Sequence, residues 1–286
     1  MISSFIVAQE QPMDNPTSGL GVVHIVGAGP GAPDLLTVRA LDRIRKAQVL
    51  VHDRLIGSEV LDLAPAGAER IYVGKSPGDH SMPQSQIHSI LIEQARARRY
   101  VVRLKGGDPY VFGRGGEEIE ALQQAGIAFE VVPGITAANG CAAAVGIPLT
   151  HRGLAQSCIL LSGHLADSVA ELDWRALAQP NLTRVFYMGV ERLSHIQQRL
   201  TAHGLTPDTP AALIQDGTRR TQAILATELA ALVKHAPSYS QRPGLLVIGE
   251  TVRLSPYYQT ARENLAPLTF QCASSEADEP IIEAGS

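Results

Sequence analysis

Two stretches of this 286-residue chain hold residue types better suited to chemistry than to folding. The first, GAGPGAPDLLT at 27–37, follows the β-branched run VVHIV and precedes a helical pattern, so backbone without Cβ atoms could approach a ligand closely. Gly27 and Gly29 match the dinucleotide fingerprint, Ala32 stands at its third position, which tolerates alanine, and Asp53 lies about 20 residues on. A nicotinamide-enzyme reading is therefore open. Pro30 and Pro33 weigh against it, because each removes an amide from the stretch that would cradle a pyrophosphate; a nucleoside less dependent on phosphate fits better. A tight turn that binds nothing is the third reading.

The second stretch, RLKGGDPYVFGRGGEE at 103–118, also follows a strand-like run and leads into a helix. Gly106 and Gly107 strip side chains from the strand end, and Asp108 offers acceptors suited to ribose hydroxyls or a nearby cation. Arg103, Lys105 and Arg114 gather positive charge, and bidentate arginine is the natural partner of a carboxylate. The spacing predicts a carboxylate-reading wall; the plainer alternative is a surface ion pair of Arg114 with Glu117 or Glu118.

The elements that would position these loops alternate along the chain. Strand-like runs at 22–26, 48–52, 69–73, 100–104 and 129–132 are separated by helical patterns such as PDLLTVRALDRIRKA and EEIEALQQAG. After GIPLTHRGLAQ at 146–156 a second series follows, at 157–163, 183–188, 210–214 and 244–249. The pattern is α/β with mostly parallel strands, in an N-terminal domain at 19–150 and a C-terminal domain at 151–256, and such halves place ligands in the cleft between strand carboxyl ends. Residues 1–18 and the acidic stretch 257–286 are polar and aperiodic, which predicts fraying or disorder.

Composition narrows the function classes. A formal charge of −4 and a pI near 6.1 supply no general basic field, so nucleic acid is not an expected partner. Cys141, Cys158 and Cys272 show neither a disulfide framework nor metal-ligand spacing, so no metal is expected. The absence of a signal-like start or a run of about 18 apolar residues predicts a cytoplasmic protein without membrane spans.

GAGPGAPDLLT, VHDRL, YVGK, RLKGGDPYVFGRGGEE, VVPGITAANG, GIPLTHR, VFYMG and PAALIQDGT stand in the order and spacing of the uroporphyrinogen-III C-methyltransferases, and the chain resembles that family over about residues 20 to 252. The resemblance implies the two-domain tetrapyrrole methylase fold, with mostly parallel sheets and the active site in the inter-domain cleft. It implies S-adenosylmethionine as cofactor, leaving as S-adenosylhomocysteine, and places it against Pro30, Gly106, Gly107, Asp108, Val111, Thr136, Ala137, Met188, Ala212 and Gly217. Core filling is the plain alternative for Met188, and an ordinary helix start for Thr136 and Ala137.

By the same resemblance Arg54, Arg114 and Arg152 would hold the carboxylate arms of uroporphyrinogen III, Glu117 belongs to the same wall, and Asp53 would be proton acceptor and Lys75 proton donor. An N-cap role for Asp53 and a solvated loop cation at Lys75 are the structural alternatives. The implied reaction methylates C2 and then C7, through precorrin-1 to precorrin-2, in a homodimer. Two positions depart from the family pattern: Ala32 replaces a common aspartate, and Ser76 follows Lys75 where arginine is frequent. The chain is too short for the dehydrogenase and ferrochelatase module of sirohaem synthases, so the expected product is precorrin-2, for sirohaem, cobalamin or haem d1. Other readings are methylation of a different acceptor, or a tetrapyrrole- or dinucleotide-binding protein without catalysis.

Overall fold

A computed structural model describes residues 21–74, 82–163, 172–235, 242–263 and 269–271. The predicted stretch 1–18 lies outside them.

The first half builds one sheet from β1 (Val23–Gly27), β2 (Val49–His52), β3 (Glu69–Tyr72), β4 (Val101–Lys105) and β5 (Phe129–Val132), in the order β3-β2-β4-β1-β5. Every pairing in it is parallel. Such a sheet must be covered on both faces, which is why β1 and β4 read as unbroken buried runs. On one face Val23, Ile25, Val49, Val51 and Val101 pack with Ile87 and Leu91 of α3 (Gln84–Arg96) and Ile119 and Leu122 of α4 (Gly115–Gln124). On the other, Val26, Leu50, Val102 and Leu104 meet Ala40 and Ile44 of α1 (Val38–Arg45) and Val60 of α2 (Ser58–Leu61). This order brings the loops after β1, β4 and β5 side by side at the carboxyl edge, where open α/β sheets bind ligands.

The second sheet departs from the expected parallel pattern. It runs β11-β9-β8-β10-β7-β6, formed by β6 (Ser157–Ser162), β7 (Leu182–Tyr187), β8 (Pro210–Gln215), β9 (Ala223–Glu228), β10 (Gly244–Ile248) and β11 (Thr269–Gln271). Only β6 and β7 pair in parallel; the other four pairings are antiparallel. Part of the reason is DGTRRTQ, residues 216–222, a loop in which Asp216 and Thr218 take left-handed φ angles and which returns the chain beside β8 as β9, a strand absent from the sequence-based expectation. Helix α6 (Trp174–Leu177) and helices α7 (Leu193–Ala202) and α8 (Leu229–His235) cover one face with Trp174, Leu177, Ile196, Leu200 and Leu232.

The other face is covered by α5 (Ala137–Ala144), which leaves β5 of the first sheet and buries Ala138, Cys141 and Ala142 against Val185, Ala212, Ile214 and Val247 of the second. The helix that follows the first sheet thus packs into the core of the second. The predicted frayed tail from 257 is corrected for its described part: Pro256–Glu263 forms α9, with Tyr258 only 2% exposed in that core, and β11 pairs with β9, while 264–268 and 272–286 lie outside the described residues. Averaging a tail dominated by acidic and small residues hides the Tyr257-Tyr258 anchor. Among the described residues, no helix is long and apolar enough to cross a membrane.

Candidate active site

Three loops interlock at the carboxyl edge of the first sheet. Gly29 and Gly107 form a two-way bridge: the Gly29 N–H donates to the Gly107 carbonyl at 3.2 Å and the Gly107 N–H to the Gly29 carbonyl at 2.7 Å. Both hold left-handed φ angles, 70° and 68°, which glycine adopts without strain. Gly134, after β5, sits so close that a Cβ there would run into the Gly107 carbonyl oxygen. Asp108 ties the group together, accepting the Gly134 N–H at 3.1 Å and the Tyr110 N–H at 2.9 Å. Its carboxylate therefore organises loops first, and only its remaining lone pairs can meet a ribose.

The rival dinucleotide reading meets a physical obstacle in the first loop. The amides of Ala28, Gly29 and Ala32 are already bonded to Lys105 O, Gly107 O and Thr218 Oγ1, and Pro30 and Pro33 have none. A three-residue 3-10 turn, Pro33–Leu35, follows, and α1 starts only at Val38, where Thr37 Oγ1 already accepts the Ala40 N–H. Neither the N–H array nor the free helix start that a pyrophosphate needs is in place. A ligand without phosphates fits the loop better.

The second half supplies the facing wall. Gly217 lies against Cys141 of α5, where a Cβ would overlap the thiol, and Thr218 reaches across to the Ala32 amide at 3.1 Å. Arg219 extends to the Leu55 carbonyl, beside Asp53 and Arg54. Met188 is 55% exposed at the end of β7, so it is not core filling. Ala212 is fully buried and pairs on both sides with Ala226 and Val247, so its methyl belongs to the core below the cleft. Thr136 and Ala137 start α5, with Thr136 as N-cap residue, as the plain reading also had it.

Backbone strain marks the same place. Seven described residues other than glycine hold left-handed φ angles, and five of them, Phe112, Arg114, Met188, Asp216 and Thr218, sit in the loops around this cleft. Each such angle costs on the order of 1 kcal/mol or more, and strain of this kind collects where a site needs a fixed shape.

The predicted carboxylate-reading wall is corrected in part. Arg103 and Lys105 are buried at 3% and 4% exposure, beneath the loop rather than on it. Arg103 Nε and Lys105 Nζ meet the same oxygen of Glu118, at 3.1 and 2.9 Å, and Glu118 has no exposed surface. Burial, with Arg103 adding to it, pushes the Lys105 ammonium below its ordinary range. Charges written into a strand in sequence look like surface charges; a carboxylate on the covering helix is what allows them inside. Arg103 also faces Asp53, with Nη2 3.6 Å from Oδ2.

Asp53 is not an N-cap, since α2 begins at Ser58 after Gly57. Its Oδ1 accepts the Leu55 N–H at 3.0 Å, leaving the side chain about a quarter exposed at the β2 exit. Arg114 forms the pair that the alternative reading anticipated: Nε and Nη2 hold Glu117 at 2.8 and 2.6 Å on the surface, and that hydrogen bonding keeps Glu117 below the usual carboxylate range. Pro30 packs on Gly140 of α5, Val111 is half-buried in the β4–α4 loop, and Arg54 is exposed next to Asp53. Arg152 is exposed in the turn 151–155, and no bond among the described residues joins it to the loops. Lys75, like His80 and His164, lies outside the described residues. Tyr187, in VFYMG, has no role in the family resemblance above, yet its hydroxyl meets Thr136 and Ala138; a tyrosine at a strand end next to Met188 is the signal in the sequence.

Loops of small residues at the carboxyl edge of a parallel sheet, faced by a second sheet, define an α/β protein with its candidate ligand site at the strand ends. The family model for tetrapyrrole (corrin/porphyrin) methylases matches residues 22–233, and the chain belongs to that family of methyltransferases. It is 50% identical over 248 residues to a siroheme synthase of Nitrosospira multiformis, covering 86% of this chain and 52% of that protein. The chain spans about half the length of the curated relatives it matches. Among solved structures, a uroporphyrin-III-C-methyltransferase from Thermus thermophilus shares 41% identity at a TM-score of 0.69, covering 82% of this chain and 97% of the other. A form from the same organism complexed with S-adenyl homocysteine aligns at a TM-score of 0.68 and 39% identity, over 82% and 99% of the two chains.

Proposed function

We propose that this chain transfers methyl groups from S-adenosylmethionine to C2 and then C7 of uroporphyrinogen III, giving precorrin-2 by way of precorrin-1, in the cytoplasm and as a homodimer. The observation that supports the reading is the loop cluster around Gly29, Gly107 and Gly134, whose amides are spent within the cluster, on each other and on Asp108, while its surface stays small and close. The likeness to siroheme synthases favours sirohaem as the destination.

When bound, S-adenosylmethionine supplies an electrophilic sulfonium methyl, and positioning of an electron-rich pyrrole carbon provides most of the acceleration. In this proposal Pro30, Gly106, Gly107, Asp108, Val111, Thr136, Ala137, Met188, Ala212 and Gly217 make up the cofactor wall, with Ala212 contributing as the floor beneath it. Arg54, Arg114 and Arg152 hold acetate and propionate arms. The Arg114–Glu117 pair is exposed, and exposed pairs are worth only about 0.2–1 kcal/mol, so a substrate carboxylate can compete for the guanidinium while Glu117 keeps it aimed. Asp53 takes the proton released after methylation, held for that by Leu55 N–H and Arg103. Lys75 is the proposed proton donor on sequence grounds alone.

The cofactor part is tested by a thermal melt. S-adenosylhomocysteine at 100 times its Kd should stabilise the protein by about 2.7 kcal/mol and NADH by nothing. Protection by NADH without protection by S-adenosylhomocysteine would overturn the reading.

A further inference from the structure

The hydroxyl of Tyr187 is placed where the two halves of the cleft meet. Tyr187 ends β7 immediately before the strained Met188, and its oxygen accepts the Ala138 N–H at 2.9 Å, an otherwise orphaned donor in the first turn of α5. The Thr136 side chain lies 2.6 Å from the same oxygen and makes no cap bond to its own helix. On the other side, the tyrosine ring packs against Phe112 of the β4–α4 loop, centroids 4.8 Å apart. One side chain from the second sheet therefore touches the start of α5, the lip of the Gly106–Arg114 loop and the approach to Met188.

We propose that Tyr187 is a positioning residue for the cofactor pocket: it caps α5 and donates its proton to Thr136 Oγ1, so that the Thr136 hydroxyl hydrogen is turned outward for the ligand. The Tyr187 oxygen accepts from Ala138, and its own hydrogen has Thr136 Oγ1 in reach at 2.6 Å; with Tyr187 as the donor of that bond, both groups of the pair are used. Thr136 then keeps its own hydrogen, on an oxygen beside the second glycine loop: a Cβ at Gly107 would lie 3.9 Å from it. Burial pushes the Tyr187 phenol above its ordinary range, so it keeps that proton at working pH. The contact with Phe112 adds a steric share, setting how closely the first-half loop approaches β7. The inference rests on the cofactor reading above and assigns a role to a residue outside that wall.

The test uses calorimetry with S-adenosylhomocysteine and steady-state kinetics on the whole chain. Tyr187→Phe keeps the ring and loses the hydroxyl; it should weaken S-adenosylhomocysteine on the order of tenfold, the effect of losing one or two buried hydrogen bonds. KM for S-adenosylmethionine should rise in step, while KM for uroporphyrinogen III and kcat at saturation stay within about threefold of wild type. Leu200→Ala, in the core between α7 and the second sheet, should lower the melting temperature without moving the affinity. Thr136→Val should weaken binding similarly, and combining it with Tyr187→Phe should add little further, because both act through one bond. Unchanged affinity in Tyr187→Phe, or full additivity with Thr136→Val, overturns the assignment and leaves the cofactor reading standing. A wild-type protein that does not bind S-adenosylhomocysteine overturns both.

Discussion

Replacing Glu118 by alanine isolates the charge arrangement under the site. Two cations, Arg103 and Lys105, share one oxygen of a carboxylate with no exposed surface, and the other oxygen, Oε2, is buried with no hydrogen-bond partner. With the carboxylate gone, two charges stay in the interior with Asp53, 3.6 Å from Arg103, as the acid facing them. Breaking a buried pair costs about 3–5 kcal/mol, because the stranded charge has lost both water and partner. At roughly 2–4 °C per kcal/mol for a chain somewhat smaller than this one, the melting temperature should fall by about 6–20 °C. The loss should shrink as pH rises. Burial already depresses the Lys105 pKa, a lysine depressed on folding destabilises the fold wherever it must stay charged, and alkaline pH lets it discharge. Glu118→Gln, which keeps one acceptor, should lie between alanine and wild type. Differential scanning calorimetry from pH 7 to 10 measures all of this, and a Glu118→Ala melt within 2 °C of wild type would refute the reasoning.

Arg114→Leu should leave the melting temperature nearly unchanged, since its partner Glu117 is exposed, yet raise KM for uroporphyrinogen III tenfold or more; normal turnover would remove arginine from the substrate wall. Gly134→Ala should cost about 1–3 kcal/mol and most of the affinity for S-adenosylhomocysteine, because its methyl would strike the Gly107 carbonyl; calorimetry that finds wild-type affinity would contradict the interlocked loops. Acid should loosen the far end of the first sheet. His24 is buried against Glu130 at 2.8 Å, and burial pushes its imidazole below the ordinary histidine range, while hydrogen bonds from Arg43 and His24 hold Glu130 below the usual carboxylate range despite its burial. Both groups bind protons more readily when unfolded, so their stabilisation is complete above about pH 6.5, declines first through His24 and then through Glu130, and a His24→Gln variant should show a shallower loss between pH 7 and 5.5 in thermal melts.

The first sheet was legible because its central strands β1 and β4 are apolar-rich runs buried on both faces, and the runs found in sequence match β1 to β5 to within a residue at either end. The second was legible as strands and not as a sheet. Strand direction there depends on the return through residues 216–222, and a connection of seven residues carries no short hairpin signal to announce β9. The glycine loops were visible because few other residues tolerate such close backbone approach. Pairing was invisible: nothing in RLKGGD says that Arg103 and Lys105 point inward, since the deciding partner, Glu118, arrives from a helix 13 residues beyond Lys105. Tyr187 was equally hidden, because its partners Thr136 and Ala138 lie 51 and 49 residues earlier in the chain.

The central claim is methyl transfer to a tetrapyrrole, and mass spectrometry of the product tests it most directly. The purified chain would be incubated without oxygen with enzymatically generated uroporphyrinogen III and S-adenosylmethionine labelled in its methyl group. The account predicts a product carrying two labelled methyl groups, preceded in time by one carrying a single label. An acceptor that stays unlabelled, with S-adenosylhomocysteine still bound by the protein, would contradict it and assign this cleft to a different acceptor.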